Sequence, residues 1–86
     1  MLKISLVNGG NYGVSLRLEG RIAGPWTTEL HELCEKLLKE NRQINLNMAD
    51  VAFLDRAAAQ LLAKLKSRGV VLSECSPFTA EQLKSS

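Results

Sequence analysis

The sequence has few of the features that place a small protein in a special class. Aromatic residues make up 5% of its 86 residues, and it contains two cysteines and two prolines. No apolar run approaches the roughly 18 residues that a membrane-spanning helix needs, and the first residues are too interrupted for a signal peptide. We therefore expect a cytoplasmic protein without direct membrane insertion, which is compatible with docking onto a membrane complex.

The charge pattern and the cysteine spacing argue against further classes. The net charge is +2 and the basic residues are spread along the chain, so no patch for nucleic acid is expected. Cys34 and Cys75 form no C-x-x-C pattern and are expected to be reduced thiols. His31, Cys34 and Glu35 share one helical segment, but packing of Cys34 beside Leu30 is favoured over a metal site. We expect no metal, no cofactor and no enzymatic activity.

Hydrophobic periodicity predicts a single α/β domain over residues 1–86, in the order ββαβαβα. Strands are predicted over residues 2–7, 12–19, 43–48 and 70–74. Helices are predicted to begin at Pro25, to run from about 56 to 67, and to run from 77 to about 84. Helices between strands favour parallel neighbours. Two strands alternate polar and apolar residues, which favours a mixed four-stranded sheet with helices mainly on one face.

The most informative stretch is 53-FLDRAA-58, where an apolar run ends on Asp55 and a helix begins at once. Asp55 is placed to cap this helix by accepting hydrogen bonds from its first N–H groups. The same place concentrates unpaired donors and positive potential, which stabilise anions and phosphorylated hydroxyls. Capping alone explains the aspartate, and partner recognition is the alternative. Asp50 and Asp55 are predicted to flank a turn.

The segment 44-INLNMADVAFLDRAAAQLLAKLKSRGVVLSECSP-77 resembles the STAS domains of anti-sigma factor antagonists and sulfate transporters. The earlier segment 16-LRLEGRIAGPWTTELHELCEKLL-38 fits the same pattern of strand, glycine, short loop and helix. The resemblance extends from about residue 14 to residue 84. It implies a two-layer, STAS-like domain.

This sequence departs from the family at the phosphorylated position. In STAS domains of this type, the aspartate is typically followed by Ser, then by a phosphorylatable Ser or Thr, and then by Gly. Here Asp55 matches the aspartate, but Arg56, Ala57 and Ala58 follow it. Asn47 stands where many members carry an aspartate. The resemblance therefore implies a degenerate phosphoacceptor position at Ala57, which has no oxygen to phosphorylate.

The resemblance implies a non-enzymatic protein–protein interaction module. The candidate partner-binding residues are Asp50, Asp55, Arg56, Ala57, Ala58 and Gln60. Small residues let a partner backbone approach closely, and Arg56 can contact a carboxylate with two hydrogen bonds. Ordinary helix propensity is the other explanation of the alanines. The implied partner is an anti-sigma factor kinase-like protein. The alternative is a soluble STAS-like subunit bound to the ATPase of an ABC-type lipid transport complex.

A second departure concerns the end of the sequence. STAS domains commonly continue with another strand and helix beyond the segment that matches 76-SPFTAEQLK-84. The last strand is therefore predicted to lie at a sheet edge, and exposed edges recruit neighbouring strands. We expect a homodimer or an obligate partner to cover it.

Overall fold

A computed structural model describes residues 1–9 and 13–84 of the chain. The predicted element order is confirmed: β1 (Leu2–Gly9), β2 (Gly13–Ile22), α1 (Pro25–Lys39), β3 (Gln43–Leu54), α2 (Arg56–Ser67), β4 (Val71–Ser73) and α3 (Pro77–Lys84). The middle of the predicted 8-NGGNYG-13 turn lies outside the described residues. Within them, no helix is both long enough and apolar enough to cross a membrane.

The four strands form one mixed sheet in the order β1-β2-β3-β4. β1 is antiparallel to β2, whereas β2–β3 and β3–β4 are parallel. In β2 the residues Val14, Leu16 and Leu18 are buried, and the intervening Ser15 and Arg17 are not. The buried side of the sheet packs against α1 and α2, which contribute Leu30, Cys34, Leu61, Leu62 and Leu65 to the core. The predicted two-layer arrangement follows from this alternation.

Local chemistry explains where the helices begin and end. Pro25 occupies the first position of α1, where its missing N–H costs nothing. Gly24 precedes it with φ of +58°, a conformation that side chains disfavour. Gly69 ends α2 with φ of +98°. Ser76 caps α3 by accepting a 3.1 Å hydrogen bond from the N–H of Thr79.

The third strand is twice as long as predicted, because it continues through bulges. It was predicted over residues 43–48, but β3 covers Gln43–Leu54. Its register against β2 shifts between Arg17 and Glu19 and again between Gly20 and Arg21. Each shift places an extra β3 residue in the ladder, which interrupts the polar–apolar alternation that marks a strand. The predicted turn between Asp50 and Asp55 is therefore wrong.

Candidate functional site

Asp55 holds the starts of both long helices. It precedes α2 in an extended conformation, and its Oδ1 accepts a 2.7 Å hydrogen bond from the N–H of Ala58. Its Oδ2 accepts a 3.0 Å bond from the N–H of Gly24, just before α1. The backbone N–H of Asp55 donates to the carbonyl of Ile22 at the end of β2. The predicted cap is confirmed, and the same carboxylate also fixes the loop that leads into α1.

The first turn of α2 presents a small exposed surface. Arg56, Ala57 and Gln60 are exposed, as a contact surface requires. Within residues 1–9 and 13–84, no carboxylate pairs with the Arg56 guanidinium. Ala58 is 0% exposed, and Asp55 already accepts a hydrogen bond from its N–H, so its predicted place in the partner-binding surface is wrong. Helical geometry turns this position towards the core.

A groove of about 270 Å³ lies between α1 and α2 beside this turn. Its lining combines hydroxyl, amide, basic and apolar groups: Thr27, Thr28, His31, Ala57, Gln60, Leu61 and Lys64. The Thr27 hydroxyl is buried and has no hydrogen-bond partner among the described residues. His31 and Lys64 add basic groups, although Glu35 lies 3.4 Å from the His31 ring nitrogen. The lining favours an occupant that carries acidic or hydrogen-bonding groups.

Sequence reasoning missed the half of this groove that α1 supplies. Thr28 and His31 are three residues apart and both exposed, so helical periodicity could have placed them on one polar face. That face and Ala57 line the same groove, although they are about thirty positions apart in the sequence. No local pattern shows which faces of two helices become neighbours.

Asp50 does not line the groove, and it lies on β3 between the two bulges. It occupies β3 opposite Glu19 of β2, five residues before Asp55 and therefore roughly 15 Å along the strand. Its Oδ2 accepts a 2.8 Å hydrogen bond from Nε of Arg17, and this ion pair is exposed. The structure therefore does not bring Asp50 together with Arg56 and Gln60.

The hydroxyls near α3 serve local structure. Ser76 caps α3 and donates a 3.0 Å hydrogen bond to the hydroxyl of Thr79. Thr79 is only 1% exposed. Ser73 lies 3.4 Å from the carbonyl oxygen of Leu46, across the β3–β4 pair. A kinase could reach Thr79 only after α3 had separated from the domain.

The candidate thiol on α1 is part of the core. Cys34 is fully buried, and desolvation, with a smaller contribution from the charge of Glu35, raises the pKa of its thiol to about 11. His31 is on the exposed side of the same helix. Across the part of the chain that the structure describes, no three His, Cys, Asp or Glu side chains cluster closely enough to hold a metal.

The two thiols should differ strongly in reactivity. At pH 8 a thiol whose pKa is near 11 is ionised to about one part in a thousand, and the thiolate is the reacting form. We expect iodoacetamide to modify Cys75, which is partly exposed, about 100-fold faster than Cys34 in the folded protein. Peptide mass mapping over a time course measures both rates. Equal modification rates of the two thiols in the native protein would contradict the burial of Cys34. Equal rates that are seen only in urea would be consistent with it, because urea unfolds the protein.

No family model matches this chain, and no curated protein matches it. Solved structures match it instead. One is the unphosphorylated form of the anti-sigma factor antagonist SpoIIAA, with a TM-score of 0.73 and 16% identity over 98% of this chain and 84% of that one. Another, Mglu, has a TM-score of 0.60 and 25% identity, covering 79% of this chain and 18% of that one. The predicted fold is confirmed: the chain has the STAS fold of SpoIIAA.

Proposed function

We propose that this chain is a non-enzymatic protein–protein interaction module of the anti-sigma factor antagonist type, which binds its partner without a phosphate switch. The observation that carries the proposal is the exposed start of α2, where Ala57 lines the groove between the helices and the neighbouring Arg56 is exposed. In the proposed complex, the partner is an anti-sigma factor kinase-like protein. Its contacting segment inserts an acidic or hydrogen-bonding side chain into the groove.

Charge and shape both support this choice of surface. The Arg56 guanidinium offers a planar pair of donors that matches a carboxylate, and Lys64 adds a second positive charge on the same helix. Ala57 has only a methyl group, so a partner backbone can approach the start of the helix closely. The short Ala57 side chain also leaves assembly independent of phosphorylation at this position.

We expect the substitution Arg56→Glu to weaken partner binding at least about tenfold, because it places a carboxylate opposite the partner's acidic group. The domain should stay folded, since a negative charge at the start of a helix is favourable. The partner is first captured from native cells with the wild-type domain and identified by mass spectrometry. Titration calorimetry with the purified partner then compares the wild type with the variant.

The matched control for this test is Lys66→Glu. It makes the same change in net charge on the same helix, about 15 Å further along its axis, and Lys66 is exposed. We expect its affinity to remain within about twofold of wild type. Equal affinities of wild type and Arg56→Glu would contradict the proposed surface.

The second candidate is a soluble STAS-like subunit that binds the ATPase of an ABC-type lipid transport complex. The absence of a hydroxyl at Ala57 favours this candidate, because a permanent subunit needs no phosphate switch. The same capture experiment separates the two functions. A serine kinase-like anti-sigma factor supports regulation, and an ABC ATPase or permease supports transport.

A further inference from the structure

β1 forms one edge of the sheet, and the orientation of its backbone can be derived from one hydrogen bond. The N–H of Arg21 donates to the carbonyl of Met1 at 2.9 Å, and the next pair in the ladder is Leu2 with Gly20. In an antiparallel ladder, hydrogen-bonded and non-hydrogen-bonded pairs alternate. Residues 1, 3 and 5 therefore point their backbone groups towards β2. The N–H and C=O groups of residues 2, 4 and 6 point away from the sheet.

The side chains of the same three residues form an apolar row that the helices cover incompletely. Leu2 is buried and Ile4 packs partly against the core, whereas Leu6 is 68% exposed. All three side chains lie on the side of the sheet that carries Leu16 and Leu18. The open backbone groups and the exposed end of the row therefore coincide along one edge. An edge of this kind readily accepts another strand.

We propose that two copies of this chain associate through β1, antiparallel and centred on Ile4, to form one continuous eight-stranded sheet. A twofold axis perpendicular to the sheet places Leu6 of each copy opposite Leu2 of the other, and Ile4 opposite Ile4. Each of these pairs exchanges two backbone hydrogen bonds. Both helical layers then lie on the same side of the combined sheet, so the three apolar pairs form a continuous row there.

The positions of charge and irregularity select this register. Lys3 lies opposite Ser5 of the other copy, so no like charges face each other across the pair. The strand is regular from Leu2 to Leu6, and its register shifts between Leu6 and Asn8. A pairing centred on Ser5 instead would pair Lys3 with residue 7 of the other copy, which lies in the irregular part of the strand. It would also lose the match between Leu6 and Leu2.

The opposite edge of the sheet offers much less. β4 contains only Val71–Ser73, which is too short for an extended ladder. The sequence predicts that a second copy or a partner covers the last strand. In this proposal the second copy covers β1 instead. The association is independent of the surface around Arg56, so it can fail while the proposed function stands.

Sedimentation velocity from 5 to 500 µM tests the association. A paired strand buries less surface than a standard interface, so we expect a dissociation constant of about 10 to 100 µM. Leu6→Lys should weaken association at least tenfold, because it places an ammonium group against Leu2 of the other copy. The control Phe78→Lys changes a comparably exposed apolar residue on α3, 54% exposed, and should leave association unchanged. Circular dichroism confirms that both variants are folded.

Disulfide trapping tests the register. Residues 3 and 5 of opposite copies form a non-hydrogen-bonded pair, with Cα atoms about 4.5 Å apart, whereas the 3–3 and 5–5 distances are about 8 Å. Only the first distance is within the range of a disulfide. In a Cys75→Ala background, with oxidised glutathione as the oxidant, a mixture of Lys3→Cys and Ser5→Cys chains should give the mixed dimer. Each chain alone should give little.

Three results would overturn the proposal. The first is a wild-type protein that stays monomeric at 500 µM, and the second is an unchanged dimer of the Leu6→Lys variant. The third is loss of the dimer in Val71→Lys, which would place the contact at β4. Efficient trapping of Ser5→Cys with itself would replace the register centred on Ile4 with the one centred on Ser5.

Discussion

Replacing Asp55 with alanine is expected to lower the free energy of unfolding by about 3 kcal/mol. About 1 kcal/mol of this comes from the lost cap on Ala58. The remainder comes from the charge-assisted bond to Gly24, whose N–H loses its acceptor. A domain of this size should show a fall in melting temperature of about 15 °C. Urea unfolding followed by circular dichroism measures the change.

Two further substitutions serve as comparisons. One tests whether both carboxylate oxygens of Asp55 matter, and the other removes an aspartate that holds no helix start. Asp55→Asn keeps one carbonyl oxygen, so it can retain one of the two bonds and should cost about half as much. Asp50→Ala also removes an aspartate side chain, but from an exposed ion pair with Arg17, and should cost less than about 1 kcal/mol. A cost below 1 kcal/mol for Asp55→Ala would show that this residue does not hold the two helix starts together.

Gly20→Ala is expected to cost about 2 to 3 kcal/mol. Gly20 has φ of +103°, where a side chain is strained. An added Cβ would also lie 2.5 Å from the carbonyl oxygen of Met1, which is backbone and cannot rotate away. The first residues of β1 must then move off β2, so the bond from Arg21 to Met1 is lost. Amide hydrogen exchange at Arg21 should accelerate together with the loss of stability.

Gly13→Ala is the matched control on the same strand. Among the described residues, and apart from the immediate chain neighbours of Gly13, no atom lies within 4 Å of a Cβ built at that position. The substitution should be neutral or should stabilise the protein by up to about 1 kcal/mol, because alanine restricts the unfolded chain. Equal destabilisation by the two substitutions would show that β2 resists any added side chain, and would argue against a specific close approach to Met1.

The elements that were predicted correctly are those whose signals are local. The bounds of α2 follow from the cap at Asp55 and the left-handed glycine at Gly69, with leucines spaced for one buried face between them. The start of α1 follows from Pro25. The alternation of polar and apolar residues in β2 predicts which side of the sheet is buried, and the burial of Val14, Leu16 and Leu18 agrees with it.

The elements that were missed depend on pairing between distant segments. Residues 49 to 54 extend β3, but the bulges there break the period of two, so the segment does not look like a strand. The pairing of Asp50 with Arg17 depends on the register that those bulges set. At the candidate site, the exposure of Arg56 was expected from its position. The groups of α1 that face this site were not expected, because the sequence pattern of one helix does not show which face of another helix packs beside it.

The two hydrogen bonds of Asp55 differ in how far apart their partners are in the sequence, and this has a kinetic consequence. The bond to Ala58 closes a loop of three residues and can form as soon as α2 begins to nucleate. The bond to Gly24 spans 31 residues and requires β2 and β3 to be side by side first. A single carboxylate therefore acts twice on the folding pathway. The bond to Ala58 favours early formation of α2. The bond to Gly24 forms late in folding, so it mainly lowers the unfolding rate of the native domain.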